Sequence, residues 1–203
     1  MKQIIMAKKI KIFFLISVFM FAGCSAERIL NSIYQLQFKI DSVSDFTLQD
    51  IPISNKRDLA DFSSTELLKL ITGFTKGDIP ASFNVVILVK DPTATLFDLN
   101  IKIISFPWDL YVNNKKIISG NISQPISLSG KETTKKINIK VELNIFDLLT
   151  GSNIEELLQT VLQYGGGNAT AENISIYVQP VIGTAIGNIK YPEKIKIVNY
   201  EFR

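Results

Sequence analysis

The sequence predicts an all-β domain: an antiparallel β-sandwich with two helices inserted. Three observations carry this. Several short segments alternate apolar and polar residues with period two, legible turn residues separate them, and strands and helices do not alternate regularly. A chain of 203 residues is long enough for one such domain with its own core, and 46% apolar with 20% charged residues is a globular composition.

The elements follow in order. In QLQFKI (35–40), Leu36, Phe38 and Ile40 share one face. A helix is expected over SSTELLKLITGF (63–74). Ser63 and Glu66 form a capping-box pattern there, and Leu67, Leu68, Ile71 and Phe74 make one stripe. In FNVVILVK (83–90), Val86 and Leu88 break the polar face, so this strand needs cover on both sides, and the preceding helix is expected to supply it. YVNNKK (111–116) places Asn113-Asn114 at a tight hairpin, and LSGKE (128–132) is another turn. KINIKVELNI (136–145) alternates without error, with Ile137, Ile139, Val141, Leu143 and Ile145 inward. A second helix, SNIEELLQTVLQY (152–164), is expected to cap through Ser152 and Glu155. Its face is Leu157, Leu158, Val161 and Leu162, and it stops at Gly165-Gly166-Gly167. ISIYVQP (174–180) points Ile174, Ile176 and Val178 inward. In EKIKIVNYEF the inward set changes near residue 198, which implies a bulge or a change of packing partner.

The N-terminus has another character. A basic stretch precedes the apolar run IFFLISVFMFA (12–22), and the small residues Ala22 and Gly23 then lead to Cys24, the only cysteine. This is a secretory signal, too short to span a bilayer. Residues 1–23 hold Lys2, Lys8, Lys9 and Lys11 and no acid. The formal charge of +3 therefore belongs to the signal. Without those four lysines 18 basic residues face 19 acidic ones, a net charge of −1. Electrostatics then points to no nucleic-acid partner. Phe21-Ala22-Gly23-Cys24 resembles the bacterial lipobox, with Phe at the position usually held by Leu. The resemblance implies cleavage before Cys24 and acylation of its thiol and new amino group. The plain alternative is an ordinary secretory signal that ends at a cysteine. Ser25 is not the Asp that commonly retains lipoproteins in the inner membrane. An outer-membrane lipoprotein on the periplasmic face is therefore expected.

Residues 1–23 thus read as signal, 24–32 as a lipidated tether and 33–203 as the sandwich domain. No histidine is present, which removes Ser-His-Asp and Cys-His catalysis and the usual His-containing zinc sites. No cofactor or metal is expected. Asp58, Asp61 and Glu66, or Glu155 and Glu156, could be imagined as an acid–base pair, but capping and solubility account for them. YGGGNA (164–169) lacks a P-loop's Gly-Lys-[Ser/Thr] end and leaves a helix rather than entering one. Trp108 and Tyr111, with Pro107, are the candidate binding surface; core packing is the competing reading. Sequons occur at Asn121, Asn168 and Asn173. Asp41-Ser42-Val43 resembles an O-glycosylation acceptor, which makes Ser42 a candidate modification site.

Residues 89–143 resemble the late embryogenesis abundant type 2 family, also called the water stress and hypersensitive response domain. The shared parts are an Asn-Pro-Asn-like corner at Asp91-Pro92-Thr93, a long strand, and a [Asp/Asn]-Leu-Tyr-Val-Asn-Gly-Lys hairpin at Asp109 to Lys115. Gly120, a Pro-containing strand, a turn at Gly130 and an alternating strand follow. Asp91 and Thr93 stand where the family has Asn, and Asn114 where it has Gly, all turn-compatible. A looser likeness runs through 177–197. The resemblance implies an immunoglobulin- or fibronectin type III-like sandwich of about seven or eight strands, no enzymatic activity, and membership of the family's bacterial envelope lipoprotein branch, of the kind found in Bacteroidetes. The function expected is a non-enzymatic, membrane-anchored binding or structural module of the cell envelope with an unidentified protein or glycan partner. Alternatives are protection during desiccation or osmotic stress and, more remotely, hydrolysis of envelope carbohydrate.

Overall fold

The computed structural model describes residues 27, 29–92, 101–112, 114–128, 134–148, 153–166 and 174–198. Within them the chain forms two antiparallel sheets with inserted helices. The first has the order β2-β1-β3-β7, from β1 (Gln37–Leu48), β2 (Ile51–Pro52), β3 (Pro80–Lys90) and β7 (Thr134–Asn144). The second is built on β4 (Lys102–Val112). On one side lie β5 (Lys115–Ile122) and β6 (Ile126–Ser127); on the other lie β8 (Ile174–Val178) and β9 (Val181–Thr184). Beyond these, β10 (Gly187–Lys190) pairs with β9 and β11 (Ile195–Ile197) with β8.

The short strands are fragments of longer lanes. β5 and β6 are separated at 123–125, which holds Pro125, and β8 and β9 at Gln179-Pro180. Proline lacks the N–H that a ladder needs, so each lane breaks where one falls. Opposite, β4 carries its own Pro107, whose carbonyl accepts from the Gln179 N–H at 3.1 Å. With fragments joined, the second sheet has four lanes, and the first is the two-residue β2 beside three long strands. This is the sandwich arrangement in which the first, second and fifth long lanes of the chain share one sheet.

Alternation decides which residues face the core. β3 buries Ala81, Phe83, Val85, Ile87 and Val89, and β7 buries Ile137, Ile139 and Val141. Register places Phe83 beside Val141, Val85 beside Ile139 and Ile87 beside Ile137. Phe38 of β1 meets Phe106 of β4 across the sheets, 6.1 Å between ring centroids. A bulge at Ile104 lets β4 turn both Ile103 and Phe106 inward, which strict period two would forbid. The outer-facing Val86 and Leu88 are half-buried. Leu88 lies between Lys39 and Lys136 in register. Long lysine stems can cover apolar surface while their ammoniums stay wet. That row is the lateral environment of Leu88, whereas the preceding helix meets the end of the sheet.

That helix, α1 (Ser64–Lys76), carries the expected capping box between Ser63 and Glu66. It ends at Gly77, whose φ of 69 suits a residue without a Cβ. Its apolar stripe differs from the expected one. Leu70 and Gly73 are buried, and Leu67 and Phe74 are packed against the core, but Leu68 and Ile71 are 64% and 49% exposed. Gly73 decides the rotation: the Gln49 amide lies against it, where an added Cβ would sit 1.5 Å from Nε2. Asn144, at the end of β7, fixes the helix exit. Its side chain accepts from the Ile79 and Phe146 N–H groups and donates to the Gly77 carbonyl.

The second helix, α2 (Ile154–Gly165), buries Leu158, Val161 and Leu162. The Leu157 side chain and Ser152 lie outside the described residues. The cap sits one residue later than expected: Asn153 accepts from the Glu156 N–H at 2.9 Å. Gly165 packs on Phe46, with an added Cβ only 2.5 Å from the ring, and Phe46 stacks on Phe83 at 5.3 Å. At the far end of the chain, Val198 accepts from Ile40 of the first sheet. The expected change of partner near 198 is therefore a switch from β8 to β1.

The N-terminal boundary also moves. Residues 29–34 are helical, with Ile29 and Ile33 buried at 7% and 0% exposure. The stretch expected as tether therefore joins the fold from Ile29, because apolar residues four apart on a helical turn can enter the core. Cys24 and the signal lie outside the described residues, as do Thr93, Gly130, Asn168 and Asn173. The assignment of α1's buried face has a direct test. Leu70→Ala is expected to lower unfolding free energy by about 2–5 kcal/mol in urea titration, and Leu68→Ala to change it by less than about 0.5 kcal/mol.

Candidate functional site

The inner and outer faces of β4 divide the two aromatic candidates. Residues three apart on a regular strand face opposite sides. Trp108 turns into the core at 7% exposure and lies over Gly120, its cross-strand partner on β5. A Cβ at Gly120 would fall 2.3 Å from the indole, which explains why glycine stands there. Trp108 is therefore not surface, and the expected two-residue platform does not form. Tyr111 is half-buried on the outer face, where its ring meets Tyr177 of β8 at 4.7 Å.

Asp109 completes that face. It is the period-two neighbour of Tyr111 and is buried at 7% exposure on the outer side of the sheet. Its Oδ1 accepts from Lys116 Nζ at 2.7 Å and Ser119 Oγ at 2.6 Å, and its Oδ2 from Lys194 Nζ at 2.6 Å. One carboxylate thus joins β4, β5 and the link between β10 and β11. Register sets the rest. Ser119, Asp109, Tyr177 and Lys196 form a row across β5, β4, β8 and β11, and Lys116, Tyr111 and Ser175 form the next. Lys196 Nζ sits 5.8 Å from the centre of the Tyr177 ring. Burial alone would raise the Asp109 carboxyl. Hydrogen bonds from Lys116, Lys194 and Ser119 outweigh it and hold the group well below the usual carboxylate range. The same bond raises Lys194.

The other candidates have structural occupations. Asp58 and Asp61 cap the 3₁₀ turn Leu59–Asp61 reciprocally. Glu66 accepts from the Ser63 N–H and from Lys56, a lysine only 8% exposed that also donates to the Asp61 carbonyl. Glu155 and Glu156 lie in the first turn of α2, where the helix dipole favours acids. Asn121 accepts from Ser105 and from the Phe106 N–H. Ser42 is exposed at a register shift of β1. A groove of about 670 Å³ runs between the 57–60 turn and Gln159, Leu162 and Gln163 of α2. Period two from Tyr111 is the signal that could have found Asp109; Tyr177 and Lys196 lie 68 and 87 residues beyond it and come in by strand register, and Lys194 comes in from the link just before β11.

No family model matches the chain, and no curated protein matches it. Solved structures give distant likenesses. One is of a protein from Archaeoglobus fulgidus, at 10% identity and a TM-score of 0.34, covering 80% of this chain and 99% of that one. Another, from Bordetella pertussis and solved as a candidate ApaA protein, stands at 11% identity and 0.32, covering 79% and 95%. A structural-genomics target stands at 12% and 0.33, covering 80% and 86%. Likeness of this degree carries no functional argument.

Acid gives a test of the Asp109 cluster. A carboxyl depressed in the folded state contributes stability above its unfolded value, near pH 4, and loses it as the pH falls below that value. Asp109→Asn is expected to cost about 1–3 kcal/mol at neutral pH and to flatten the loss of urea stability below about pH 4. A constant offset with an unchanged acid slope would contradict this.

Proposed function

We propose that the chain is a non-enzymatic lipoprotein of the cell envelope, anchored through Cys24, whose sandwich acts as a binding or structural module. The observation that carries the reading is the state of Asp109. It is the most engaged carboxylate of the candidate surface, and both its oxygens are taken by side chains that hold three segments together. Such a group braces a surface, and the two ammoniums bonded to it favour its charged form over the protonated form that a general acid needs. Asp58, Asp61 and Glu66 are similarly committed to caps. The signal-like N-terminus and the single cysteine at its end support anchoring, and the resemblance over 89–143 supports the late embryogenesis abundant type 2 assignment.

Two measurements test this. Mass spectrometry of the mature N-terminus is expected to find Cys24 acylated, and Cys24→Ala is expected to move the protein out of the membrane fraction. A free thiol, or a mature chain starting elsewhere, would overturn the anchor. A pull-down from envelope extracts with the lipidated protein is expected to recover a specific partner that an Asp109→Asn, Tyr177→Ala variant recovers less well. Equal recovery by both proteins would remove the outer face from the function.

A further inference from the structure

The outer face of the second sheet is rich in donors and poor in acceptors. Asp109 has both oxygens occupied. Each ammonium has three N–H groups, so Lys116 and Lys194 keep donors beyond their bonds to Asp109. Their side chains are 48% and 54% exposed. Lys196 adds a third cation above Tyr177. Two lysines thus hold the carboxylate and a third lies over the neighbouring ring, and the exposed Glu193 in the adjoining link leaves the face basic. Half-buried Tyr111 and Tyr177 lie within it.

The N-terminal helical turn reaches the edge of this face. Tyr34 meets Tyr191 edge-on at 5.9 Å, and the Tyr191 hydroxyl donates to the Tyr34 carbonyl. Three residues on from Tyr191 is Lys194, bonded to Asp109. Cys24 lies five residues before Ile29, a span of at most about 18 Å. An anchor at Cys24 would thus hold the basic, tyrosine-bearing face close to lipid phosphates. Tyrosine is favoured at headgroup depth, and a basic patch beside an acyl anchor is the usual second membrane signal.

We propose that this face docks on anionic headgroups of the membrane that holds the chain, with Lys116, Lys194 and Lys196 on phosphates and Tyr111 and Tyr177 at the interface. The proposal rests on the anchored reading and deepens it. An acidic polysaccharide shares the anionic chemistry; the nearby chain exit and the paired tyrosines favour lipid.

The test uses full-length lipidated protein in vesicles of phosphatidylcholine alone or mixed with phosphatidylglycerol. Lysines are acetylated with limiting reagent and their rates read by residue-resolved mass spectrometry. Lys116, Lys194 and Lys196 are expected to react several-fold more slowly on the anionic vesicles, with the difference lost in high salt. Lys136 and Lys140, on the outer face of the first sheet, should react alike on both. Each lysine at an anionic surface contributes about a factor of five. Lys196→Glu, which leaves the partners of Asp109 in place, should therefore remove most protection at Lys116, whereas Lys136→Glu should not. Equal rates on both vesicles would overturn the proposal. So would protection that needs an added acidic polysaccharide, which would assign the face to a glycan. Flotation reads the anchor separately: a chain that floats only with anionic vesicles would end the anchored reading and keep the docking face.

Discussion

Strand β4 is the constraint on which the rest of the second sheet depends. Every other lane of that sheet is a pair of fragments, and each fragment takes its position from β4 or from a strand registered on it. The prolines that interrupt the flanking lanes remove donors, so those lanes cannot hold register alone. β4 runs through both breaks, with the bulge at Ile104 as its adjustment. One strand therefore has two tasks. Phe106, Trp108 and Leu110 fix the core side, and Asp109 and Tyr111 fix the outer side. A shift of one residue in β4 would exchange the two sets and bury Asp109 in the apolar core.

Much of this was legible in the sequence. Period two gave the inward sets of β1, β7 and β8, and the capping box gave the start of α1. What failed did so for physical reasons. The stripe Leu67, Leu68, Ile71 and Phe74 fits a helix drawn alone, but Gly73 lets the Gln49 amide approach, and that contact turns Leu68 and Ile71 outward. Trp108 and Tyr111 were grouped by adjacency, when their spacing on a strand already separates them. Ile29 and Ile33 carried a helical spacing, but they lay just after the signal and read as tether. Lys194, Lys196 and Tyr177 had no local signal, because what unites them is pairing between distant segments.

The surface inherits its chemistry from that pairing. The Asp109 carboxylate gathers lysines from β5 and from the β10–β11 link, and in doing so engages both of its oxygens. What remains for a partner is a set of ammonium donors beside two rings. Such donors suit anions, and the N-terminal helical turn meets the edge of this face through Tyr34 and Tyr191. The two helices lie where β7 ends and β3 and β8 begin, and cap that end of the sandwich.

The most direct measurement of the central claim is native-state hydrogen exchange resolved along β4. If β4 is the spine, the amides of Phe106 and of Trp108 to Val112 exchange only with global unfolding, as slowly as any in the protein, while β5, β6 and β10 open locally at lower free energy. Exchange of the β4 amides through local openings, faster than in its flanking fragments, would contradict the account.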